Sequence, residues 1–268
     1  MKKPAPYLWS ILLYLFIFVL SPAVVQAQSK ERYEKKTFLS KGGFELPYRI
    51  LLPENYNPKT KYPLVMFLHG AGERGSDNEA QLVHGSSLFL SKQSEFPAIV
   101  VFPQCRKDSF WSSVKIDRNQ DPNKRFNFDY SSTTQTEDLT AVIELISDLQ
   151  KRHKIDKKRL YVMGLSMGGM GTFEALTRHP KLFAAGIPIC GGGDTKLVGN
   201  FAAKVPVWVF HGADDSVVPA DCSRSMVKAI ESAGGKVKYT EYPKVNHNSW
   251  DNAFAEPELL SWLFKQKK

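Results

Sequence analysis

Three cysteines in 268 residues are too few, and the wrong number, for a disulfide scaffold. An odd count cannot all pair within one chain, and a chain of this length buries enough apolar surface to fold without covalent staples. Cys105, Cys190 and Cys222 are therefore read as structural, with room for one bridge at most. Cys190 closes Ile187-Pro188-Ile189-Cys190, the pattern of a buried strand end. Metal and phosphate signatures are missing as well. The chain has no paired C-x-x-C, no H-E-x-x-H and no P-loop, so no metal site and no cofactor is expected. Gly70-x-Gly72-x-x-Gly75 has the spacing of a dinucleotide fingerprint and follows an apolar run. Glu73 and Arg74, however, stand where a packed helix should start, and no helical pattern follows until well past Asp77, so it is not read as a nucleotide site. Acidic residues are the minority, 27 against 36 Lys and Arg. The basic excess is scattered in short groups such as Lys151-Arg152-His153-Lys154, which suits solvated helix ends and loops; nucleic acid is not an expected partner.

A hydrophobic run long enough to span a membrane is also lacking. Ser10 to Leu20 is almost wholly apolar but falls short of the roughly 20 residues a spanning helix needs. It follows Lys2 and Lys3 and precedes Val25-Gln26-Ala27, small residues at signal-peptidase spacing. Residues 1–27 therefore read as a secretory leader cut after Ala27, and no cysteine at the cut could carry a lipid. The expected mature protein, 28–268, is secreted or periplasmic and keeps no membrane anchor. Repeats, low-complexity tracts and linkers are absent, so a single domain is expected.

What is present alternates. Leu46–Leu52, Tyr62–His69, Ala98–Phe102, Arg159–Met163, Ala184–Ile189, Val205–Phe210 and Lys236–Tyr242 read as strands. Tyr62–His69 (YPLVMFLH) is the unbroken apolar run of a strand buried on both faces. Thr134-Gln135-Thr136-Glu137 has the form of a capping box, and Leu139, Val142, Ile143, Ile146 and Leu149 recur at helical spacing, predicting an amphipathic helix over 135–153. Further helices are expected from Met167, over 221–233 and over 256–264. Strands alternating with helices imply an α/β fold, a mostly parallel sheet with helices on both faces.

Gly164-Leu165-Ser166-Met167-Gly168 is G-x-S-x-G between a strand and a helix pattern, the context in which a serine sits on a tight turn with its hydroxyl exposed. A serine needs a base to act as a nucleophile. Of six histidines, His69 and His211 end strands directly before glycine, where a turn role is expected, His84 lies in a loop, and His153 and His179 fall at helix C-termini. His247 lies in the polar loop Val245-Asn246-His247-Asn248-Ser249-Trp250, after the last strand, and is the candidate base. Between serine and histidine, His211-Gly212-Ala213-Asp214-Asp215 supplies two acids; one is expected to orient the imidazole and the other to cap the turn, with Asp215 preferred as the first. The order Ser166, Asp215, His247 is that of α/β hydrolases. For the oxyanion, the Met167 N–H and an N–H from the glycine-rich loop after Tyr62–His69 are expected, Ala71 first and Gly72 next.

Taken in order, HGAGERG, GLSMGG, HGADDSVVP and HNSW resemble the secreted bacterial carboxylesterases related to polyhydroxybutyrate depolymerases and to feruloyl and acetyl-xylan esterases. The resemblance runs from about residue 38 to 266. It implies the α/β-hydrolase fold and hydrolysis of carboxylic esters, small or polysaccharide-linked, such as acetyl or feruloyl esters. A lipase-like or polyester-depolymerase-like hydrolase is the alternative, and a non-catalytic binding protein on the same fold is the rival of another class. Dienelactone hydrolases, which use a cysteine, fit less well.

Residues 108–133 replace the short connection expected between a strand and its helix and carry Phe110, Trp111, Phe126, Phe128 and Tyr130. Two readings stand: a wall or lid over the substrate, with Trp111 in contact with it, or a loop that tucks its rings into the core edge. Trp250, three residues past His247, is expected to pack under the base and is the second candidate for substrate contact. Expressed with its leader, the exported protein is expected to begin at Gln28, which N-terminal sequencing reads; Met1 intact in the membrane fraction contradicts the cleavage.

Overall fold

A computed structural model describes residues 31–268. The leader expected over 1–27 lies outside the described residues. Among the described residues, ten strands and six helices follow one another: β1 (Glu34–Leu39), β2 (Glu45–Leu51), β3 (Tyr62–Leu68), α1 (Ser86–Ser91), β4 (Ile99–Pro103), β5 (Lys115–Ile116), β6 (Phe126–Asn127), α2 (Glu137–Arg152), β7 (Ile155–Leu165), α3 (Met167–Arg178), β8 (Ala185–Ile189), β9 (Val207–Gly212), α4 (Asp221–Ser232), β10 (Val237–Tyr242), α5 (Trp250–Ala255) and α6 (Leu259–Lys265). Eight strands form one sheet in the order β1-β2-β4-β3-β7-β8-β9-β10. The first two pairings are antiparallel and the other five parallel.

Pattern and position agree. Every residue of β3, β4, β8 and β9 is buried, as apolar runs without alternation require in a sheet covered twice. Alternate side chains of β3 serve opposite faces. Leu64, Met66 and Leu68 pack with the apolar stripes of α2, α3 and α4, whereas Val65 and Phe67 pack with Phe89 of α1 and with Leu259, Leu260 and Leu263 of α6. The exposed antiparallel strand β1 was not expected from the sequence; its charged residues give no burial signal.

The expectations for the α2 cap and for the cysteines need correction. The α2 helix starts two residues later than the capping-box spacing suggested, because the Thr136 hydroxyl, not that of Thr134, accepts the Leu139 N–H at 3.2 Å. All three cysteines are free, so the one bridge allowed for does not form.

The 108–133 segment contains a short hairpin, β5 paired with β6, and is tied down at both ends. Glu174 of α3, fully buried, accepts hydrogen bonds from the Ser112 and Ser113 hydroxyls and the Ser113 N–H, and pairs with Arg178 at 2.7 Å. Arg178 in turn donates to the carbonyls of Tyr130 and Thr133. A buried carboxylate with this many donors fixes the backbone it serves.

Trp111, expected as a substrate contact, is instead fully buried. Its Nε1–H donates to the His69 carbonyl at 3.1 Å, its ring meets the His69 ring edge-on at 5.2 Å, and α3 lies so close that a Cβ on Gly171 would stand 2.5 Å from its Cβ. Burial of the ring and satisfaction of its N–H both favour the core over the cleft. Trp111→Ala is expected to cost about 3–5 kcal/mol of stability, read as a fall in melting temperature, without changing the preference between bulky and acetyl esters. Near-wild-type melting with altered selectivity would restore the ring to the substrate pocket.

Candidate active site

The residues singled out by the sequence stand at the carboxyl ends of β3, β7 and β9 and in the loop after β10, the edge where ligands meet sheets of this kind. Ser166 occupies the turn between β7 and α3, with φ 53° and ψ −116°. That left-handed backbone is disfavoured for serine and costs on the order of 1–3 kcal/mol. It is enforced from both sides. The Ser166 N–H donates to the Ile189 carbonyl at 2.9 Å. On the other side α3 presses against the end of β3, where a Cβ on Gly168 would stand 1.9 Å from the Leu68 carbonyl oxygen. Any side chain there would push the helix, and with it the serine, away.

The Ser166 hydroxyl and His247 Nε2 are 2.9 Å apart, and His247 Nδ1 is 2.7 Å from Asp215 Oδ2. Asp215 is buried. Its Oδ1 accepts the N–H groups of Val217 and Val218, both at 2.9 Å. The turn-capping role expected of the other acid thus belongs to Asp215 itself. Asp214 is exposed, and its N–H donates to the Val245 carbonyl.

The sequence concealed a second imidazole on the same carboxylate. His211, fully buried, brings Nε2 to 3.2 Å from Asp215 Oδ2 and 2.8 Å from the Val218 carbonyl oxygen. A carbonyl only accepts, so Nε2 carries the proton. Nδ1 lies 2.7 Å from the Ser223 hydroxyl. Burial works against the charge on Asp215, but the hydrogen bonds from His211 and His247 and the backbone outweigh it and hold the carboxyl well below the usual carboxylate range. The signal for His211 was the motif HGADD, which spaces the histidine four residues before the acid; the turn reading made it local.

Met167 opens α3 and Ala71 opens a short 3-10 turn, Ala71–Glu73, so neither N–H has an acceptor within its own helix. Both residues line a cleft of about 340 Å³ together with Ser166. Its walls are Phe110, Ile116, Phe126 and Met170, and Arg74, Arg118 and Arg125 reach it as well. The 108–133 segment therefore does wall the cleft, but through Phe110 and the β5–β6 hairpin and not through Trp111. Trp250 is not part of the wall. Its ring meets that of His247 edge-on at 5.4 Å and that of His84 at 5.1 Å, which braces the His247 imidazole.

Cys190, Asp215 and His247 also bring one donor atom each within 4.8 Å of one another. The set is unsuited to a metal: burial pushes the Cys190 thiol up and keeps it protonated, while the other two groups bond each other.

Residues 42–189 match the family described as "Putative esterase", and residues 120–263 match a second family, described as PET hydrolase-like. A solved structure titled a thermostable esterase is 41% identical, with a TM-score of 0.81, over 90% of this chain and 64% of its own. A bifunctional acetylxylan esterase/xylanase of Neocallimastix patriciarum is 35% identical over 83 residues, 31% of this chain and only 12% of that enzyme. Carboxylesterase SOBER1 of Arabidopsis thaliana is 24% identical across 76% of this chain and 90% of its own. A solved ferulic acid esterase, 18% identical with a TM-score of 0.65, shares the α/β-hydrolase fold over 87% of this chain and 97% of its own.

One pH dependence follows from His69. The Cys105 N–H donates to its Nε2 at 3.0 Å, and Nδ1 faces the Gly70 carbonyl at 2.6 Å, so the site accepts only the neutral ring. Burial lowers its pKa from 6.5 to about 4. A depressed folded-state value means stability that is whole above pH 6.5 and lost as the pH falls towards 4. Unfolding by urea is expected to show a loss of about 2–3 kcal/mol between pH 7 and 4.5. A flat profile over that range would contradict the neutral buried ring.

Proposed function

The chain belongs to the esterase family whose model spans residues 42–189, and on that premise we propose that it is a serine carboxylesterase working through an acyl-enzyme. The observation that carries the reading is the unbroken path of contacts from Ser166 Oγ through His247 to Asp215, at 2.9 and 2.7 Å. In the first step Ser166 Oγ attacks the ester carbonyl carbon as His247 Nε2 takes its proton. Asp215 holds the imidazolium that results, and the N–H groups of Met167 and Ala71 receive the oxyanion. Collapse breaks the bond to the alcohol, which leaves with the proton from His247. Water then repeats the sequence on the acyl-enzyme and frees the acid.

The substrates proposed are esters decorating plant polysaccharides, acetyl or feruloyl, in keeping with the acetylxylan esterase/xylanase relative and a feruloyl esterase B of Piromyces equi that is 29% identical over 42% of this chain. A second reading, polyester hydrolysis, is favoured by the PET hydrolase-like match and by a poly(3-hydroxyalkanoate) depolymerase of Paucimonas lemoignei, 30% identical over 48% of this chain. The proposed enzyme is exported after cleavage at Ala27, as one domain over 28–268 without a membrane anchor, and needs no cofactor.

Ser166→Ala is expected to lower kcat on the order of a million-fold, and Asp215→Asn about ten-thousand-fold through the wrong His247 tautomer. Asp214→Asn should cost far less. Assay on a nitrophenyl ester reads all three. Ser166→Ala activity within tenfold of wild type contradicts the serine mechanism, and the reverse ranking of the aspartates contradicts the choice of acid.

A further inference from the structure

The cleft beside Ser166 is lined by apolar side chains and by three arginines. Ile116 and Arg118 lie two residues apart, on and just beyond β5, and so share a face of the hairpin; Arg125 and Phe126 return on the other arm, whose backbone is joined to the first by the Asp117 N–H and the Arg125 carbonyl at 2.9 Å. The hairpin thus delivers two apolar side chains and two guanidinium groups to one cleft. Neither guanidinium has an ion-pair partner among the described residues. The Nε of Arg125 is shielded from solvent and has no hydrogen-bond partner among the described residues, a state that buried donors rarely tolerate. The third arginine, Arg74, is already engaged: it donates to the carbonyls of Ala71 and Ser109 and lies over the Phe110 ring at 4.8 Å. No acidic residue lines the cleft among those described, and Asp117 and Asp121 of the same hairpin lie outside its lining.

We propose that Arg118 and Arg125 form a carboxylate subsite, and that the cleft selects esters of aromatic acids carrying a second, ionised carboxyl group. The ring lies between Phe110, Phe126 and Met170, with the ester carbonyl at Ser166, and the free carboxylate reaches the guanidinium pair. Guanidinium is the side chain whose planar donors match a carboxylate; Arg125, half-buried, offers them inside the cleft, and Arg118, exposed, offers them from solvent. The inference rests on the esterase reading above.

The test compares monomethyl terephthalate, anionic at pH 8, with neutral dimethyl terephthalate, and takes the ratio of their kcat/KM values. The wild-type ratio should fall about tenfold in Arg125→Gln, less in Arg118→Gln, whose side chain is exposed, and most in the double variant. It should invert further in Arg125→Glu and be partly kept by the double Lys variant. Added NaCl should lower the ratio in the wild type and leave it flat in the double Gln variant. Both side chains sit in a partly exposed hairpin, so folding is not at stake, and matched melting curves verify this. A ratio that stays within twofold of wild type in the double Gln variant overturns the subsite, as does a wild-type enzyme that cleaves p-nitrophenyl acetate and the diester but not the monoester. Failure of the wild type on every one of these esters, p-nitrophenyl acetate included, overturns the esterase reading itself.

Discussion

The whole site hangs on one strained turn. Ser166 adopts φ 53°, and nothing in its own chemistry favours that conformation. Its surroundings impose it. The helix that follows is pulled against the end of β3 through Gly168, and the serine N–H is held by the carbonyl of Ile189 on β8. The turn thereby brings the hydroxyl to His247 Nε2 and sets Met167, the first residue of α3, on the same cleft. Every other candidate group is placed relative to that point: Ala71 by the end of β3, Asp215 by the end of β9, His247 by the loop after β10. Strain stored at one residue persists only where the scaffold over-determines it, and here three strands and a helix do so.

The electrostatics of the acid run along the same line. Asp215 is buried, yet it remains a carboxylate because four donors converge on its two oxygens: two backbone N–H groups, His247 and His211. His211 points its Nε2–H between the Val218 carbonyl and Asp215, whereas His247 turns its Nε2 to Ser166. Two imidazoles thus share one carboxylate and do different things. The backbone bonds fix where Asp215 points, and Trp250 packs against the His247 ring at 5.4 Å. The contacts on which the proposed proton transfer rests are thus already formed.

Much of the frame was legible in the sequence, for identifiable reasons. A run such as YPLVMFL can satisfy its burial only in a sheet covered twice, so the central strands declare themselves. The helix over α2 declares itself by its spacing, although its cap was misplaced by two residues because Thr134 and Thr136 offer the same chemistry. Ser166, Asp215 and His247 stood out as candidates because glycines and strand ends surround them, and the structure brings their side chains into contact. What the sequence hid is non-local. The β5–β6 hairpin has two-residue strands, too short for any period, so the wall of the cleft could not be read. Trp111 looked like a substrate contact because aromatic content was all that 108–133 showed; which rings turn inward is decided by Glu174 and α3, far along the chain. His211 was read as a local turn residue because its partner Asp215 is met only when the loop folds back.

The central claim is that Ser166 alone among the serines is an activated nucleophile. Its most direct test is covalent: treat the folded protein with a fluorophosphonate and map the adduct by peptide mass spectrometry. The account predicts a single adduct, on Ser166, formed in step with the loss of ester hydrolysis and abolished when His247 is replaced by alanine. An adduct on another residue, or undiminished hydrolysis after Ser166 is fully labelled, would contradict it.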